Sequence, residues 1–130
     1  RTRYRAIEHY SNSLKVEPEK VALNPLDEEL LKKAIAIVEK HMDNVEFSTE
    51  IFAREMCMSR SNLHIKMKAL TGESANDFIR KMRFNQACKL LKEGKYTVSE
   101  ISGMVGFNTP SYFATSFKKY FGCLPSEYGK

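Results

Sequence analysis

The sequence predicts an all-α domain in which a long helix joins two helix-turn-helix units, preceded by a linker that is partly helical and partly extended. Three observations favour this fold class. Apolar residues recur at helical spacing in each segment after residue 23, and none of those segments alternates as a strand does. Ser, Thr and Gly stand where the helices should begin and end. The second half of the chain also repeats the first.

Composition narrows the classes of function. The chain has 130 residues, 42% of them hydrophobic, which is enough to bury a core. It has no initiator Met, no signal peptide and no run near the roughly 18 apolar residues of a membrane span, so we interpret it as a cytoplasmic fragment of a longer polypeptide. The three Cys and three His are scattered, which predicts buried thiols, no metal site and no cofactor. No acid, base and nucleophile form a catalytic set, so we expect no enzyme in this fragment.

Residues 1–23 are predicted to be an interdomain linker, and residues 24–130 the domain itself. The first half of the linker has apolar residues at the spacing of a helix, namely Tyr4, Ile7, Tyr10 and Leu14. The second half is predicted to be extended, since Val and Leu residues surround Pro18 without helical spacing.

The first helix of the domain is predicted to begin near Pro25, because proline suits the first turn of a helix. Its inward residues are Leu30, Leu31, Ala34, Ile35, Val38 and Met42. Ser48 and Ser59 are the expected N-caps of the next two helices. The second of these directs Leu63, Met67 and Leu70 inward. It should end at Gly72, where glycine can adopt the left-handed conformation.

The long helix is predicted from Ser74 to Glu93, about 30 Å at 1.5 Å per residue. Thr97 opens a short helix with the pattern of a capping box. Either Asn108 or Thr109 caps the last helix, which should end at Gly122. The inward residues of this helix are Phe113, Phe117 and Tyr120, and Phe107 and Tyr112 also have the spacing of core residues. A short turn from Pro125 to Tyr128 completes the chain.

The two halves of the domain match in order and spacing. Before the turn, the matched residues are Ser48, Phe52, Ala53, Met56, Cys57 and Met58 with Thr97, Ile101, Ser102, Val105, Gly106 and Phe107. After the turn, and one residue further along, they are Ser61, Leu63, Met67, Lys68 and Gly72 with Ser111, Phe113, Phe117, Lys118 and Gly122. The small residue inside each first helix, Ala53 or Ser102, permits close approach of the second helix. This is the geometry of a helix-turn-helix.

Charge is divided unevenly along the domain. Residues 24–57 carry four basic and eight acidic side chains, a net charge of −4, whereas residues 58–122 carry eleven basic and four acidic, a net charge of +7. A polyanion is the expected partner of the basic part. Paired helix-turn-helix units with basic faces predict DNA binding, and a helical protein-interaction module is the alternative. The long helix matches the roughly 34 Å between successive major-groove segments.

Motifs in both units resemble those of one protein family. The second unit has Ile101, Val105-Gly106-Phe107, Ser111-Tyr112-Phe113, Phe117-Lys118-Lys119, Phe121-Gly122 and Pro125-Ser126-Glu127-Tyr128. The first has Ala53-Arg54-Glu55-Met56, Met58-Ser59-Arg60-Ser61, Leu63 and Lys68-Ala69-Leu70-Thr71-Gly72. Over roughly residues 25 to 128 the chain resembles the DNA-binding region of the AraC/XylS family of bacterial transcription regulators. The resemblance implies two helix-turn-helix units that bind double-stranded DNA in a sequence-specific way.

The residues upstream narrow the resemblance. The stretch from residues 14–18 through 25–29 looks like the junction between a phosphoacceptor receiver and the output domain in hybrid two-component systems of Bacteroidetes. This implies an activator that serves as the output domain of a phosphorelay sensor for polysaccharide utilisation genes. It further implies RNA polymerase and an upstream receiver domain as partners, and allows a homodimer of the intact protein. The full-length protein would then contain a histidine kinase and an anchor in the inner membrane.

The resemblance also indicates which side chains contact DNA. The base-reading candidates are Arg60, Ser61, His64, Ile65, Pro110, Ser111, Ala114 and Thr115. The phosphate-binding candidates are Ser59, Lys66, Lys68, Arg80, Lys81, Arg83, Thr109, Lys118 and Lys119. Relatives often carry a basic residue where this chain has Ile65 and Thr115. We therefore expect Arg60, Ser61, His64 and Ser111 to supply much of the hydrogen bonding, and A·T pairs to be favoured where Ile65 and Ala114 touch the groove.

Overall fold

The computed structural model describes residues 25–128, and over this range every regular element is helical, as predicted. The elements are α1 (Pro25–Lys40), α2 (Thr49–Glu55), α3 (Arg60–Thr71), α4 (Ala75–Glu93), α5 (Val98–Met104), α6 (Pro110–Phe121) and a 3-10 helix (Pro125–Glu127). The predicted linker, residues 1–23, lies outside the described residues. None of the helices in residues 25–128 is long and apolar enough to cross a membrane.

The described residues form two compact units. The first unit contains residues 25–41 and 46–82, and therefore α1, α2, α3 and the beginning of α4. The second unit contains residues 42–45 and 83–128, and therefore the rest of α4, α5, α6 and the 3-10 helix. Each unit holds one of the two predicted helix-turn-helix pairs, α2 with α3 and α5 with α6.

Side-chain oxygens cap the helices at the predicted places. In each case the oxygen accepts a hydrogen bond from the backbone N–H three residues later, at 3.1 to 3.3 Å. The capping residues are Ser48, Ser59, Ser74, Thr97 and Thr109. Thr97 also donates its backbone N–H to the carboxylate of Glu100 at 2.8 Å, which completes the predicted capping box. Caps of this kind are each worth about 1 kcal/mol, so these residues fix where the helices begin.

The predicted repeat extends to the backbone of the two turns. The N–H of Met58 donates to the carbonyl of Ala53 at 2.9 Å, and the N–H of Phe107 donates to the carbonyl of Ser102 at the same distance. These four residues occupy matched positions in the sequence repeat. The two turns are therefore closed by equivalent hydrogen bonds.

Left-handed residues mark equivalent points of both pairs. Cys57 has a φ of 59° and Gly106, its match in the repeat, has a φ of 79°. Gly72 and Gly122 end α3 and α6 with φ values of 79° and 86°, as predicted. Cys57 is the only residue other than glycine with positive φ in the described range, and a side chain in this conformation is disfavoured.

The first unit has a core built from α1, α2, α3 and the start of α4. Its largest fully buried side chains are Phe52, Phe78, Leu31, Leu63, Met67 and Val38. The rings of Phe52 and Phe78 are stacked with centroids 6.2 Å apart. The inward prediction for the first helix is confirmed for Leu31, Ala34 and Val38, which are buried. Leu30, Ile35 and Met42 are only partly buried, and Ile37, which was not predicted, is buried. Helical spacing identifies the buried face, but not which of its two flanks another helix covers.

The second unit has an aromatic core centred on Phe84. The Phe84 ring, fully buried in α4, has four aromatic neighbours with centroids 4.7 to 6.1 Å away. These neighbours are Phe107, Phe117, Tyr120 and Phe121. The sequence pattern predicted Tyr120 as the inward residue of the last turn of α6. Phe121 is the more buried of the two, and Tyr120 lies partly buried beside it.

A charged contact ties the end of α1 to α2 within the first unit. The Nε2 of His41 lies 2.6 Å from a carboxylate oxygen of Glu55, and the ammonium of Lys40 lies 3.6 Å from the other. The His41 ring stacks on Phe47 at 4.6 Å. The hydrogen bond from His41 is the main reason why the pKa of Glu55 lies below its ordinary value. Partial burial opposes this shift, and the charges of His41 and Lys40 add to it.

Replacing Glu55 with Gln should therefore change how stability depends on pH. A carboxyl with a lowered pKa stabilises the fold above its ordinary pKa of 4.5, and this stabilisation is lost as the pH falls through the lowered value. We expect the unmodified chain to be more stable than Glu55→Gln in urea unfolding at about pH 6, with the difference shrinking towards about pH 3. In a His41→Ala background the pH dependence should be weaker. Equal pH dependence in both backgrounds would contradict this assignment.

Removing the central ring of the second unit should destabilise it strongly. We expect Phe84→Ala to lower the free energy of unfolding by about 3–5 kcal/mol, because it removes buried apolar area and leaves a cavity. The matched control is Tyr96→Ala, since Tyr96 is an exposed aromatic residue of the same unit. This control should change stability by at most about 0.5 kcal/mol. Similar losses for the two variants would show that Phe84 is not central to the core.

Candidate nucleic-acid interface

In the first unit, α3 has one buried face and one exposed face. Leu63, Met67 and Leu70 are buried, as predicted. The predicted base readers on this helix are all exposed, namely Arg60, Ser61, His64 and Ile65. Ile65, a large aliphatic side chain, is 66% exposed. An exposed apolar group beside polar donors suits a surface that meets both hydrogen-bonding base edges and thymine methyl groups.

The same four residues border an open groove of about 730 Å³. The residues that line it are Thr49, Arg60, Ser61, Leu63, His64, Ile65, Ser74, Ala75 and Asn76. Thr49, Ser74 and Asn76 were not among the predicted contact residues. They lie at the beginnings of α2 and α4, where first-turn N–H groups have no partner within the helix. The cap predicted at Ser48 and the helix start predicted at Ser74 were the signals in the sequence for where these helices begin.

In the second unit, α6 presents a comparable exposed face. Its buried residues are Phe113, Phe117 and Phe121. Pro110, Ser111 and Thr115 are exposed and Ala114 is partly buried. Lys118 and Lys119 extend the exposed face towards the end of the helix. The predicted base readers of this unit therefore lie on one accessible surface.

The prediction that Tyr112 is a core residue was wrong. It was expected at core spacing, yet its side chain is 61% exposed, with its ring 5.7 Å from that of Phe107. It precedes the buried Phe113 by one residue, and one residue turns a helix by about 100°. The sequence repeat contained the signal, because Tyr112 matches Asn62, an exposed polar residue. Tyr112 thus adds a phenol hydroxyl to the exposed face of α6.

The capping hydroxyls of α3 and α6 can still donate a hydrogen bond. The hydroxyl oxygens of Ser59 and Thr109 accept hydrogen bonds from backbone N–H groups at 3.1 Å. A hydroxyl can accept and donate at once, so each can still donate its hydrogen to an anionic oxygen. Both residues are exposed.

The predicted phosphate-binding cations differ in their present partners. The ammonium of Lys66 lies 3.2 Å from Asp27, that of Lys81 lies 3.0 Å from Glu73, and Arg80 lies 3.6 Å from Asp77. The exposed Lys68, Lys118 and Lys119 have no carboxylate at ion-pair distance within residues 25–128. These three lysines are therefore the cations most open to a polyanion.

The prediction for Arg83 was also wrong. It was predicted to contact phosphate, but it is 8% exposed. Its guanidinium donates to the carbonyl of Gly106 at 2.6 Å and to that of Asn44 at 2.9 Å. Arg83 is buried and both of its terminal nitrogens donate to backbone carbonyls, so it cannot reach a DNA backbone and is removed from the interface.

The cysteines give one further difference from the sequence prediction. Cys88 and Cys123 are buried, as expected, but Cys57, at the left-handed position of the first turn, is exposed. Over residues 25–128, no three or more His, Cys, Asp and Glu side chains are placed to hold a metal ion.

Known proteins resemble the chain in sequence. A family model described as a helix-turn-helix domain matches residues 52–130. Histidine kinase P4 of Formosa agariphila is 40% identical over 119 residues, which are 92% of this chain and 9% of that protein. The transcriptional activator RhaR of Pectobacterium carotovorum is 32% identical over 82 residues, which are 63% of this chain and 29% of that protein. The chain therefore spans much less than two thirds of these relatives.

Solved structures share the fold. The C-terminal domain of the two-component response regulator yesN from Fusobacterium nucleatum has a TM-score of 0.73 at 26% identity, covering 78% of this chain and 99% of that one. The DNA-binding domain of the transcriptional factor AdpA, solved in complex with a target DNA, has a TM-score of 0.68 at 28% identity. It covers 75% of this chain and 86% of that one.

Tyr112 should contribute to DNA affinity. We expect Tyr112→Ala to weaken binding to a specific duplex by roughly fivefold, the effect of one lost hydrogen bond of about 1 kcal/mol. Tyr112→Phe, which removes only the hydroxyl, should lose as much. Because the side chain is exposed, neither variant should lower the unfolding midpoint appreciably. Tyr96→Ala is the matched control and should bind like the unmodified chain. Unchanged affinity in Tyr112→Ala would exclude this contact.

Proposed function

The chain belongs to the AraC-type family of helix-turn-helix DNA-binding domains, and from that premise we propose that it reads the base sequence of promoter DNA with α3 and α6. One observation carries the proposal. Both helices follow a matched cap and turn, and each exposes polar and basic residues opposite a stripe of three buried apolar ones. A transcription-regulator domain of this kind is a binding module and not an enzyme.

In the first unit, Arg60, Ser61 and His64 are the proposed hydrogen-bonding base readers. Arginine donates two hydrogen bonds to the O6 and N7 of guanine, and serine and histidine bind single acceptors. Ile65 is proposed to contact thymine methyl groups, since it has no donor. The groove beside these residues places Asn76 next to them, and its amide is a further donor for the flanking DNA strand.

In the second unit, Ser111 and Thr115 are the proposed polar readers, with Pro110 and Ala114 in apolar contact. Hydroxyl groups distinguish bases less sharply than a bidentate arginine does. We therefore expect the segment contacted by α6 to tolerate more base changes than the segment contacted by α3.

Phosphate binding is assigned to the remaining exposed donors. Ser59 and Thr109 bind through their capping hydroxyls, and Lys68, Lys118 and Lys119 supply unpaired positive charge. Lys66, Lys81 and Arg80 already have carboxylate partners, so each would neutralise phosphate only by giving up an ion pair. Phosphate contacts of this kind position the protein on DNA but carry no sequence information directly.

We further propose that the domain is the output part of a two-component regulator. The support is similarity to a histidine kinase and to the C-terminal domain of a response regulator. The upstream part would then hold the receiver and the histidine kinase, with an anchor in the inner membrane. The relative RhaR is described as an activator, which favours activation through RNA polymerase. Homodimerisation of the intact protein and control of polysaccharide utilisation genes remain predictions from the sequence resemblance.

The test is fluorescence anisotropy of the chain on duplexes from promoters of its own genome and on scrambled duplexes. We expect tighter binding to a specific duplex, and a plot of log affinity against log salt with a slope of about −3 or steeper, since three unpaired lysines release counterions. The double substitution Lys68→Glu, Lys118→Glu should abolish binding.

The matched control is Lys33→Glu, Lys89→Glu, which makes the same charge change at exposed residues outside the interface. This control should keep at least about half of the affinity. Equal losses in both double variants would mean that net charge alone governs binding. Absence of binding to any duplex at low salt would favour the protein-interaction alternative.

A further inference from the structure

Arg83 is a buried cation whose guanidinium is bonded to backbone carbonyls. It lies on α4 within the second unit and is 8% exposed. One terminal nitrogen donates to the carbonyl of Gly106, in the turn between α5 and α6, at 2.6 Å. The other donates to the carbonyl of Asn44, in the loop after α1, at 2.9 Å. Arg83 thereby connects three segments of the second unit.

This arrangement is unfavourable for the charge. The Nε of Arg83 is buried without a hydrogen-bond partner, and no carboxylate in residues 25–128 pairs with the guanidinium. Burial lowers the pKa of Arg83 from its ordinary value. The two charge-assisted hydrogen bonds compensate only while the carbonyls stay in place. The position of the turn is therefore coupled to the side chain.

The turn makes room for the guanidinium at Gly106. A Cβ atom added there would lie 2.6 Å from the guanidinium carbon of Arg83 and 2.7 Å from the carbonyl oxygen of Met42, too close in both cases. Cys57, the matched residue in the first unit, has a Cβ and a similar positive φ. Space, and not backbone conformation alone, thus requires glycine in the second turn. Among residues 25–128, the hydrogen bonds from an arginine side chain to a backbone carbonyl are those of Arg83, and neither reaches the first turn.

We propose that Arg83 is a positioning residue for DNA reading by the second unit. It holds the turn at Gly106, and the cap of α6 follows only three residues later at Thr109. Arg83, on α4, therefore fixes where α6 begins. Within residues 25–128 the first unit has no matching arginine at its turn, and α3 is held by core packing and its caps. The inference rests on the proposed function of α6, but its structural part can be tested without DNA.

The DNA test compares Arg83→Met and Arg83→Lys with Lys89→Met, a control on the exposed side of the same helix. Duplexes are scrambled in one half of the operator or the other. The half read by α6 is identified with a Ser111→Ala, Thr115→Ala variant. Scrambling that half should no longer lower the affinity of this variant. The unmodified chain and Lys89→Met should lose roughly tenfold or more in affinity when either half is scrambled.

Arg83→Met should lose this discrimination selectively. Scrambling the half read by α6 should change its affinity less than about twofold, while scrambling the other half still weakens binding roughly tenfold. For Arg83→Lys, the loss of affinity on scrambling that half should lie between those of Arg83→Met and the unmodified chain. One ammonium keeps the charge but cannot bond both carbonyls in the same geometry. General destabilisation would instead lower affinity for both halves alike. Equal loss on both halves, or full discrimination in Arg83→Met, would overturn the proposal.

Hydrogen exchange of the free protein provides the second readout. After correction for intrinsic rates, the amides of Gly106 and Phe107 should exchange more slowly than those of Cys57 and Met58. Arg83→Lys should speed exchange at the first pair by roughly tenfold and leave the second pair unchanged. Equal protection of the two turns in the unmodified chain would overturn the proposal even if the Arg83 variants fail to fold. Failure of the unmodified chain to bind DNA would refute the proposed function and leave this comparison valid.

Discussion

A left-handed residue in each turn is the constraint on which both helix-turn-helix pairs depend. Cys57 and Gly106 reverse the chain within a few residues, so that the amides of Met58 and Phe107 close equivalent hydrogen bonds. A small residue in the preceding helix then allows the next helix to pack closely. Where α3 and α6 begin, and which of their faces is exposed, follow from this geometry. The two turns meet the constraint differently, since only one of them uses glycine.

Sequence reasoning succeeded where the determinants are local. The N-caps at Ser48, Ser59 and Thr97 and the glycine ends of α3 and α6 lie where the pattern predicted them. A cap depends on a side chain and a backbone N–H group three residues later. Both partners are therefore close together along the chain, and the sequence alone can identify them. The exposed faces of α3 and α6 were also identified, because each of these helices buries one clear stripe.

Sequence reasoning failed where the determinants are distant. The helix α4 buries residues on several sides, so it has no single apolar stripe and periodicity could not orient it. Phe84 was therefore missed as the centre of a core, and Arg83 was mistaken for a surface cation. Its carbonyl partners lie 23 and 39 residues away in sequence. Tyr112 was misplaced for a different reason, since its aromatic character was weighed above the exposed match at Asn62.

Binding-induced changes in amide chemical shifts of the isotope-labelled chain, titrated with a specific duplex, test the central claim most directly. We expect the largest changes to fall on residues 59–65 and 109–115, with further changes at the beginnings of α2 and α4. The solvent-exposed side of α1, around Glu29, Lys33 and Ala36, should change little. Changes concentrated on α1 and absent from α3 and α6 would contradict DNA binding by these two helices, because another surface would then meet the DNA.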